Sequence, residues 1–569
     1  MKNRTERKKL QSHSGVAKEN KHRIIFFSAA IITILALLVG RLAYIQLYKG
    51  NDLNLRAVNQ WIKEIPIGAQ RGKIFDRNLV PLTDKEKSGY LILFPEIFSK
   101  TDENIHIISK ITGISKYELI YDRISGTRHI ALKVENPDED LLKQVGLIKG
   151  VFPIENDDRY DITGLAAHVI GYINKIDNIG EKGLEKKFDN LLKKNQHYKV
   201  GAIVDAQKRM IPGLGYKIID NDINTEKYNL VTTLDYEIQK IAEEELDTTG
   251  LKGSVIVLDA HNGDVLAMVS RPNYDPNNVA DYLNSTNKEL FNRAVQISYP
   301  PGSIFKLVVL AAALEENIAE PYDTFYCNGY EEIGDVMIKC SSFERGGHGE
   351  ISLEDAFSQS CNSAFIQLGQ KVGGKKIIEV AEKLGLGTKT GVELLEEIQG
   401  QLPSEDYIKG AGIGNISIGQ GTLEVTPLQI AKMTLIIVNE GKDTGIHLVK
   451  EIIDENGKVV EIISNRKTKQ VLSSSTAQII QSMMERVVST GTGNRIDLDQ
   501  FGGAAGKTGS AEAFVNGEKV AHAWFTGYLP NRNPQYIITI LIEEGGSGGR
   551  VAAPVFNKIA ERIIFKKTN

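Results

Sequence analysis

Cysteine is scarce: three residues in 569. That excludes a fold stapled by disulfides, and the odd number leaves one thiol over under any pairing. A charge excess is also missing. Lysine and arginine number 68 against 72 acidic residues, a formal net charge of −4, so there is no basic field of the kind that holds nucleic acid. No segment recurs with a period of 20–50 residues, which excludes a solenoid or propeller. Long apolar runs are missing except for one, which excludes a multi-span membrane protein. What is present, 41% hydrophobic and 25% charged, is ordinary globular usage, and the length predicts roughly three or four domains.

The one long apolar run lies near the N-terminus. Residues 1–23 carry eight basic side chains against two acidic ones, and Ile24 to Gly40 then runs 17 residues without a charge. A membrane span needs about 17–25 apolar residues. Arg41 can snorkel, so the helix is predicted to extend over 24–47. The basic flank places residues 1–23 in the cytoplasm and the rest of the chain outside. A cleaved signal peptide is the rival reading. It would have an apolar core of about 7–15 residues and a small-x-small site, and Leu38-Val39-Gly40-Arg41 is a poor one.

Residues 50–227 are mixed and fairly polar, and are expected to form a mixed α/β pedestal. Two charged clusters stand out in it: Arg71-Gly72-Lys73-Ile74-Phe75-Asp76-Arg77, and Gly183-Leu184-Glu185 with Phe188-Asp189. The first reads either as a buried ion-pair network or as a solvated turn. From residue 228 the texture changes. A helix is predicted from Ile238 to Leu246, and a hairpin from Ser254–Leu258, Asn262-Gly263-Asp264 and Val265–Val269. An apolar helix follows at 303–315, then a strand at Tyr536–Ile542, a glycine-rich loop at Gly545–Gly549 and a helix at Ala552–Phe565. The fold class expected is multidomain α+β, with residues 228–569 forming a domain built on a sheet flanked by helices.

Ser303 and Lys306 are three residues apart at the start of the apolar helix, on one face. A buried, neutral lysine there can take the serine proton and make the hydroxyl nucleophilic. The helix N-terminus behind Ser303 favours a developing oxyanion. Ser-x-x-Lys recurs at Ser285/Lys288 and Ser464/Lys467, but in polar stretches. Ser360-Cys361-Asn362 sits in a polar break between helical stretches at Leu353–Phe357 and Ala364–Val372. Lys-Thr-Gly occurs at Lys389-Thr390-Gly391 and at Lys507-Thr508-Gly509. The second copy is chosen, because it precedes Ser510 and lies near the strand-like Ala523–Tyr528. The ordered trio Ser303/Lys306, Ser360/Asn362 and Lys507/Thr508/Gly509 matches the set of β-lactamases and penicillin-binding proteins.

On these residues the chain resembles the class B, monofunctional penicillin-binding proteins, over essentially its whole length. Gly419-Gln420-Gly421, Val425-Thr426-Pro427-Leu428-Gln429 and Ala552-Ala553-Pro554-Val555-Phe556 add to the resemblance, as do both pedestal clusters. Asn78-Leu79 departs from it, where a glycine is common. The resemblance implies a central antiparallel transpeptidase sheet and D,D-transpeptidation. Ser303 would attack the carbonyl between the two D-alanines of a peptidoglycan stem peptide, and an amine of a neighbouring stem would resolve the acyl-enzyme. Lys306 would be the base, Ser360 a proton relay, and Asn362 the grip on the substrate amide. Lys507, Thr508, Gly509 and Ser510 would hold the terminal carboxylate, with the N–H groups of Ser303 and Ser510 as the oxyanion hole. No cofactor is expected for catalysis. β-Lactams are the expected inhibitors, and a polytopic SEDS-type glycosyltransferase is the implied membrane partner. Pro300-Pro301 before the nucleophile resembles elongation-type members; septal and sporulation-specific transpeptidases are the alternatives.

Cys327, Cys340 and Cys361 fall within 35 residues, with His348 among them. Three thiolates and an imidazole make a complete tetrahedral zinc set, and some elongation-type relatives resemble this chain in carrying a metal beside the same motif. Structural zinc is the expectation. A Cys327–Cys340 disulfide, or three buried thiols with a solvated histidine, are the rivals. A β-lactamase would need a base that activates water for deacylation, and no clear candidate exists. A β-lactam sensor would be expected to carry more spans. A retired scaffold would be expected to have lost a motif, and all three are intact.

Overall fold

The computed structural model describes residues 25–49, 62–69, 71–95, 98–124, 130–134, 144–145, 147–161, 163–174, 178–193, 197–203, 216–220, 228–464, 467–515 and 517–568. The basic tail 1–23 and Ile24 lie outside the described residues. The helix Ile25–Tyr48 is 24 residues long, and none of its apolar window is buried in the protein. At 1.5 Å per residue it measures about 36 Å, enough for a hydrocarbon core of about 30 Å.

Two three-stranded antiparallel sheets form the pedestal. Glu86–Leu93 lies between Ile130–Lys133 and Val151–Asp158. It buries Leu91 and Leu93 against Ile105, Ile108 and Ile111 of the helix Asp102–Thr112. The other sheet pairs Ile62–Ala69 with His197–Ile203 and Tyr216–Asp220.

The two charged clusters of the pedestal meet. Arg71 Nε donates to Glu185 at 2.9 Å, and Arg71 Nη1 lies 2.8 Å from Asp189. Arg159 adds bonds of 2.6 Å to Glu185 and 2.5 Å to Asp84. This is the buried network rather than the solvated turn, since the Arg71 and Glu185 side chains are 1% and 0% exposed. Asp76 does not join it. Its carboxylate accepts from the N–H groups of Asn78, Val80 and Tyr236 instead. Ile74–Phe75 pairs in parallel with Tyr228–Thr232, so one four-stranded sheet carries chain from both sides of residue 227.

The C-terminal body is built on a five-stranded antiparallel sheet. Its order is Val265–Arg271, Gly253–Asp259, Tyr536–Ile542, Glu518–Leu529, Ala505–Val515. The predicted hairpin and the C-terminal strand are both in it. Its central strands read as continuous apolar runs because both faces are covered. Val255, Val257, Ile538 and Ile540 pack with Ile238, Ile241, Phe556 and Ile559 of the helices Tyr236–Asp247 and Ala553–Thr568. Ile256, Leu258, Ile537 and Leu541 face the other way, into the core shared with the helices Lys306–Glu315, Pro427–Val438 and Ser474–Ser489. Helix starts follow from side-chain caps. Asp235 accepts from Glu237 and Ile238, and Thr426 and Gln429 form a reciprocal capping box with Pro427 in the first turn. The last strand, Ala505–Val515, is an edge, and it carries the chosen Lys-Thr-Gly.

Candidate active site

Ser303 does not begin the α-helix as the periodicity predicts. It sits on a single 3₁₀ turn, Gly302–Phe305, that runs into the α-helix at Lys306. Residues i and i+3 eclipse in a 3₁₀ turn, so the turn stacks Ser303 and Lys306 along one line. Gly302 makes this possible, with φ of 53°, a conformation cheap only for glycine. Its N–H donates to the Gly419 carbonyl at 2.9 Å. A Cβ on Gly302 would lie 2.7 Å from the Ser510 carbonyl oxygen, and one on Gly509 2.8 Å from Ile304 Cγ1. The turn is thus pressed between the Gly-Gln-Gly loop and the edge strand. Trp524 Nε1 donates to the Pro300 carbonyl from the neighbouring strand at 3.0 Å.

Three separated segments converge behind this turn. Lys306 is fully buried. Its Nζ donates to the Ser360 carbonyl at 2.7 Å, to Ser360 Oγ at 3.2 Å and to Asn362 Oδ1 at 2.8 Å. Lys507, also fully buried, donates to the same Ser360 Oγ at 3.1 Å and to the Thr508 carbonyl at 3.0 Å. Each ammonium lies 5.5 Å from an aromatic ring, Phe365 for Lys306 and Phe357 for Lys507. Burial pushes Lys306 down to about 8, although the Cys361 and Cys340 thiols pull it upward. Burial, and then repulsion from Lys306, hold Lys507 well below its ordinary value. A hydroxyl has two acceptor sites and one proton. Both acceptor sites of Ser360 are filled by lysines, which leaves its proton for a third group. The half-buried Ser303 hydroxyl has no hydrogen-bond partner among the described residues.

Ser360 has φ of 54°, a strained left-handed conformation for a side-chain-bearing residue. Helix packing holds it there. Leu353–Ser358 ends just before it, Asn362–Val372 begins just after it, and Cys361 N–H donates to the Ala356 carbonyl at 2.7 Å. On the edge strand, Thr508 Oγ1 lies 2.6 Å from Thr492 Oγ1, and Ser510 Oγ accepts from the Gly548 N–H at 3.2 Å. Thr492 escaped the reading of the sequence. Its signal was present in Gly491-Thr492-Gly493, a short hydroxyl between two glycines.

Two of the rejected motif copies have local work. The Lys-Thr-Gly at 389–391 binds a carboxylate of its own chain: Thr390 N–H and Oγ1 each lie 2.6 Å from Glu397 Oε1, and Gly391 N–H donates to Oε2 at 3.2 Å. Ser285 donates to Glu289 at 2.9 Å.

Cys327, Cys340, His348 and Cys361 come together, with ligand atoms all within 4.8 Å of one another. Cys340 and Cys361 sulfurs are 3.8 Å apart, and His348 Nδ1 lies 3.6 Å from Cys327 and 3.7 Å from Cys340. A zinc tetrahedron with bonds of about 2.3 Å to sulfur and 2.0–2.1 Å to nitrogen has edges of about 3.8 Å and 3.5 Å. The donor set is that of a zinc site in chemistry, and these three distances match its edges, while the set as a whole spans up to 4.8 Å. The rival reading of a Cys327–Cys340 disulfide is not met, as all three cysteines are free.

Residues 253–561 match the family model of the penicillin binding protein transpeptidase domain, and residues 66–214 that of the penicillin-binding protein dimerisation domain. Stage V sporulation protein D of Bacillus subtilis is 29% identical over 95% of this chain and 85% of its own length. The peptidoglycan D,D-transpeptidase MrdA of Haemophilus influenzae is 27% identical over 98% of this chain and 94% of its own. Among solved structures, a chain from a peptidoglycan synthase complex that coordinates polymerisation and crosslinking superposes with a TM-score of 0.70. It is 27% identical and covers 94% of this chain and 97% of that one.

Proposed function

The chain belongs to the class B penicillin-binding proteins, and from that membership we propose the roles of its site residues in crosslinking peptidoglycan stem peptides by D,D-transpeptidation. The observation that carries the proposal is the meeting of Lys306, Ser360, Asn362 and Lys507 behind the Ser303 turn.

Lys306 in its neutral form takes the proton of Ser303 as Oγ attacks the D-Ala–D-Ala carbonyl. The N–H groups of Ser303 and Ser510 receive the oxyanion, each such donor being worth about 3–4 kcal/mol in related chemistry. Ser360 passes its proton to the departing amine and draws another from a lysine. Asn362 holds the substrate amide. Lys507, with the Thr508 and Ser510 hydroxyls beside Gly509, holds the terminal carboxylate. An amine of a neighbouring stem then takes the acyl group from Ser303.

The elongation-type role rests on the MrdA likeness over nearly both full lengths, together with Pro300-Pro301 and the cysteine set. The sporulation relative has slightly higher identity but is matched over less of its length. The helix Ile25–Tyr48 is a single-pass membrane anchor. Residues 1–23 are the cytoplasmic tail, 50–227 the pedestal and 228–569 the transpeptidase domain, with both outside the membrane. A polytopic SEDS-type glycosyltransferase is the proposed partner of the anchor and pedestal. The likeness to a synthase complex that joins polymerisation to crosslinking supports it.

The test is the intact mass of the full chain in detergent, before and after benzylpenicillin, with the modified peptide mapped. One stable drug adduct on Ser303 is the expected result. Hydrolysed drug and unmodified protein would mean a β-lactamase instead.

Cys327, Cys340, His348 and Cys361 are the proposed ligands of a structural zinc. With four protein ligands it leaves no position for water, so its contribution is to tie the segment from Cys327 to His348 onto the catalytic motif at Cys361. Elemental analysis of the purified chain is expected to give one zinc per molecule, and none in Cys340→Ser. The variant should also unfold at a lower temperature than the wild type. A metal-free wild type, or an unchanged unfolding temperature in the variant, would remove the zinc from the account.

A further inference from the structure

Cys327 and Cys340 bracket a β-hairpin, Tyr330–Ile333 paired with Val336–Lys339. No motif points to it, yet it lies against the helix Asn362–Val372 at three places. Asn362 Nδ2 donates to the Lys339 carbonyl at 3.0 Å. Glu331 Oε1 accepts from Ser363 Oγ and, at 2.7 Å, from Gln367 Nε2. Ile333 packs with Ile366 and Ile418.

The consequence falls on Asn362. Its amide offers one acceptor oxygen and two N–H donors. The oxygen accepts from Lys306 and one N–H is given to Lys339. Flipping the amide would set two donors face to face at Lys306 and two acceptors face to face at Lys339. The orientation is therefore single, and one N–H is left for a ligand. Neither contact alone does this. Lys306 fixes the oxygen, and the hairpin fixes which N–H remains.

We infer that the hairpin Tyr330–Lys339 positions Asn362 for amide recognition, with Glu331 as the positioning residue that ties the hairpin to the catalytic helix. The inference rests on the reading of Ser303 as nucleophile and Asn362 as the amide grip, and it adds a specificity element to that site. Glu331 touches no substrate and acts through Asn362.

The experiment compares two β-lactams on the full chain in detergent: benzylpenicillin, which carries a side-chain amide, and 6-aminopenicillanic acid, which has the same nucleus and no such amide. In Glu331→Ala the second-order acylation constant is expected to fall about tenfold for benzylpenicillin, the scale of one lost hydrogen bond, and to stay unchanged for 6-aminopenicillanic acid. Glu331→Gln keeps an acceptor oxygen for Ser363 and Gln367 and should restore the benzylpenicillin value. Gln367→Leu removes the other end of the tie, so it should give the same selective loss in milder form even where Glu331→Ala fails to fold. An equal loss for both compounds, or no loss for benzylpenicillin, would overturn the role of the hairpin while leaving the nucleophile in place. Absence of any adduct in the wild type would overturn the functional reading itself, and the inference with it.

Discussion

Lys306→Met is expected to slow acylation of Ser303 by benzylpenicillin by about 10²–10⁴-fold, the range for loss of a positioned general base. Methionine keeps most of the buried volume and leaves the Ser303 hydroxyl itself in place, but it takes the donor from Asn362 Oδ1 and from both Ser360 oxygens. A fall in rate by itself therefore does not separate a lost base from a loosened pocket. The pH profile gives the sharper readout. Only the unprotonated amine can accept the serine proton, and burial brings Lys306 down to about 8. At pH 7 about a tenth of the enzyme would hold the neutral base, so the wild-type acylation rate at saturating benzylpenicillin should climb as pH rises through about 8 and level off above it. Lys306→Met should lose that rise. A variant that keeps the wild-type profile at reduced rate would show that another group is the base.

Glu185→Ala carries the largest expected effect on stability. Glu185 is fully buried and accepts from Arg71 Nε, Arg159 Nε and the Tyr160 hydroxyl. Removing it takes the acceptor from three buried donors, although Asp189 and Asp84 still face the two guanidinium groups. Breaking a buried pair from one side costs about 3–5 kcal/mol. The exposed pair Lys519–Glu512, 2.9 Å apart with both side chains about 60% exposed, supplies the control: Lys519→Ala should cost about 0.2–1 kcal/mol. The measurement is denaturant unfolding of both variants, with penicillin adduct formation followed in parallel. Glu185→Ala should shift the unfolding of the pedestal while Ser303 is still acylated. A shift no larger than that of Lys519→Ala would mean that the buried network adds nothing beyond a surface pair.

Much of the candidate site was legible because the chemistry proposed for it needs particular side chains: a hydroxyl, two lysines and an amide cannot be replaced by look-alikes. The central strands were legible because both of their faces are covered, which writes uninterrupted β-branched runs into the chain. The 3₁₀ turn at Ser303 was not, since it depends on Gly302 meeting the Gly419 carbonyl, more than a hundred residues on. The partner of Arg71 was hidden for the same reason. Its own motif offers Asp76 five residues away, and packing supplies Glu185 instead. Lys339 left no trace, because it contributes a backbone carbonyl and any residue has one. The two Lys-Thr-Gly copies could be told apart only by neighbourhood, since both tripeptides are suited to a carboxylate and one of them already holds Glu397.

The two lysines that share the Ser360 hydroxyl couple recognition to proton traffic. Burial lowers both lysines, and repulsion from Lys306 lowers Lys507 further, which favours loss of a proton from the free pocket. A carboxylate arriving beside Lys507 favours the charged ammonium there, so the pocket draws a proton from solvent as it fills. On the roles proposed for Lys507 and Ser303, binding of the anionic end of the substrate is expected to weaken as the medium becomes alkaline, while the attack by Ser303 quickens. On the proposed roles, the working range lies where those opposing slopes cross.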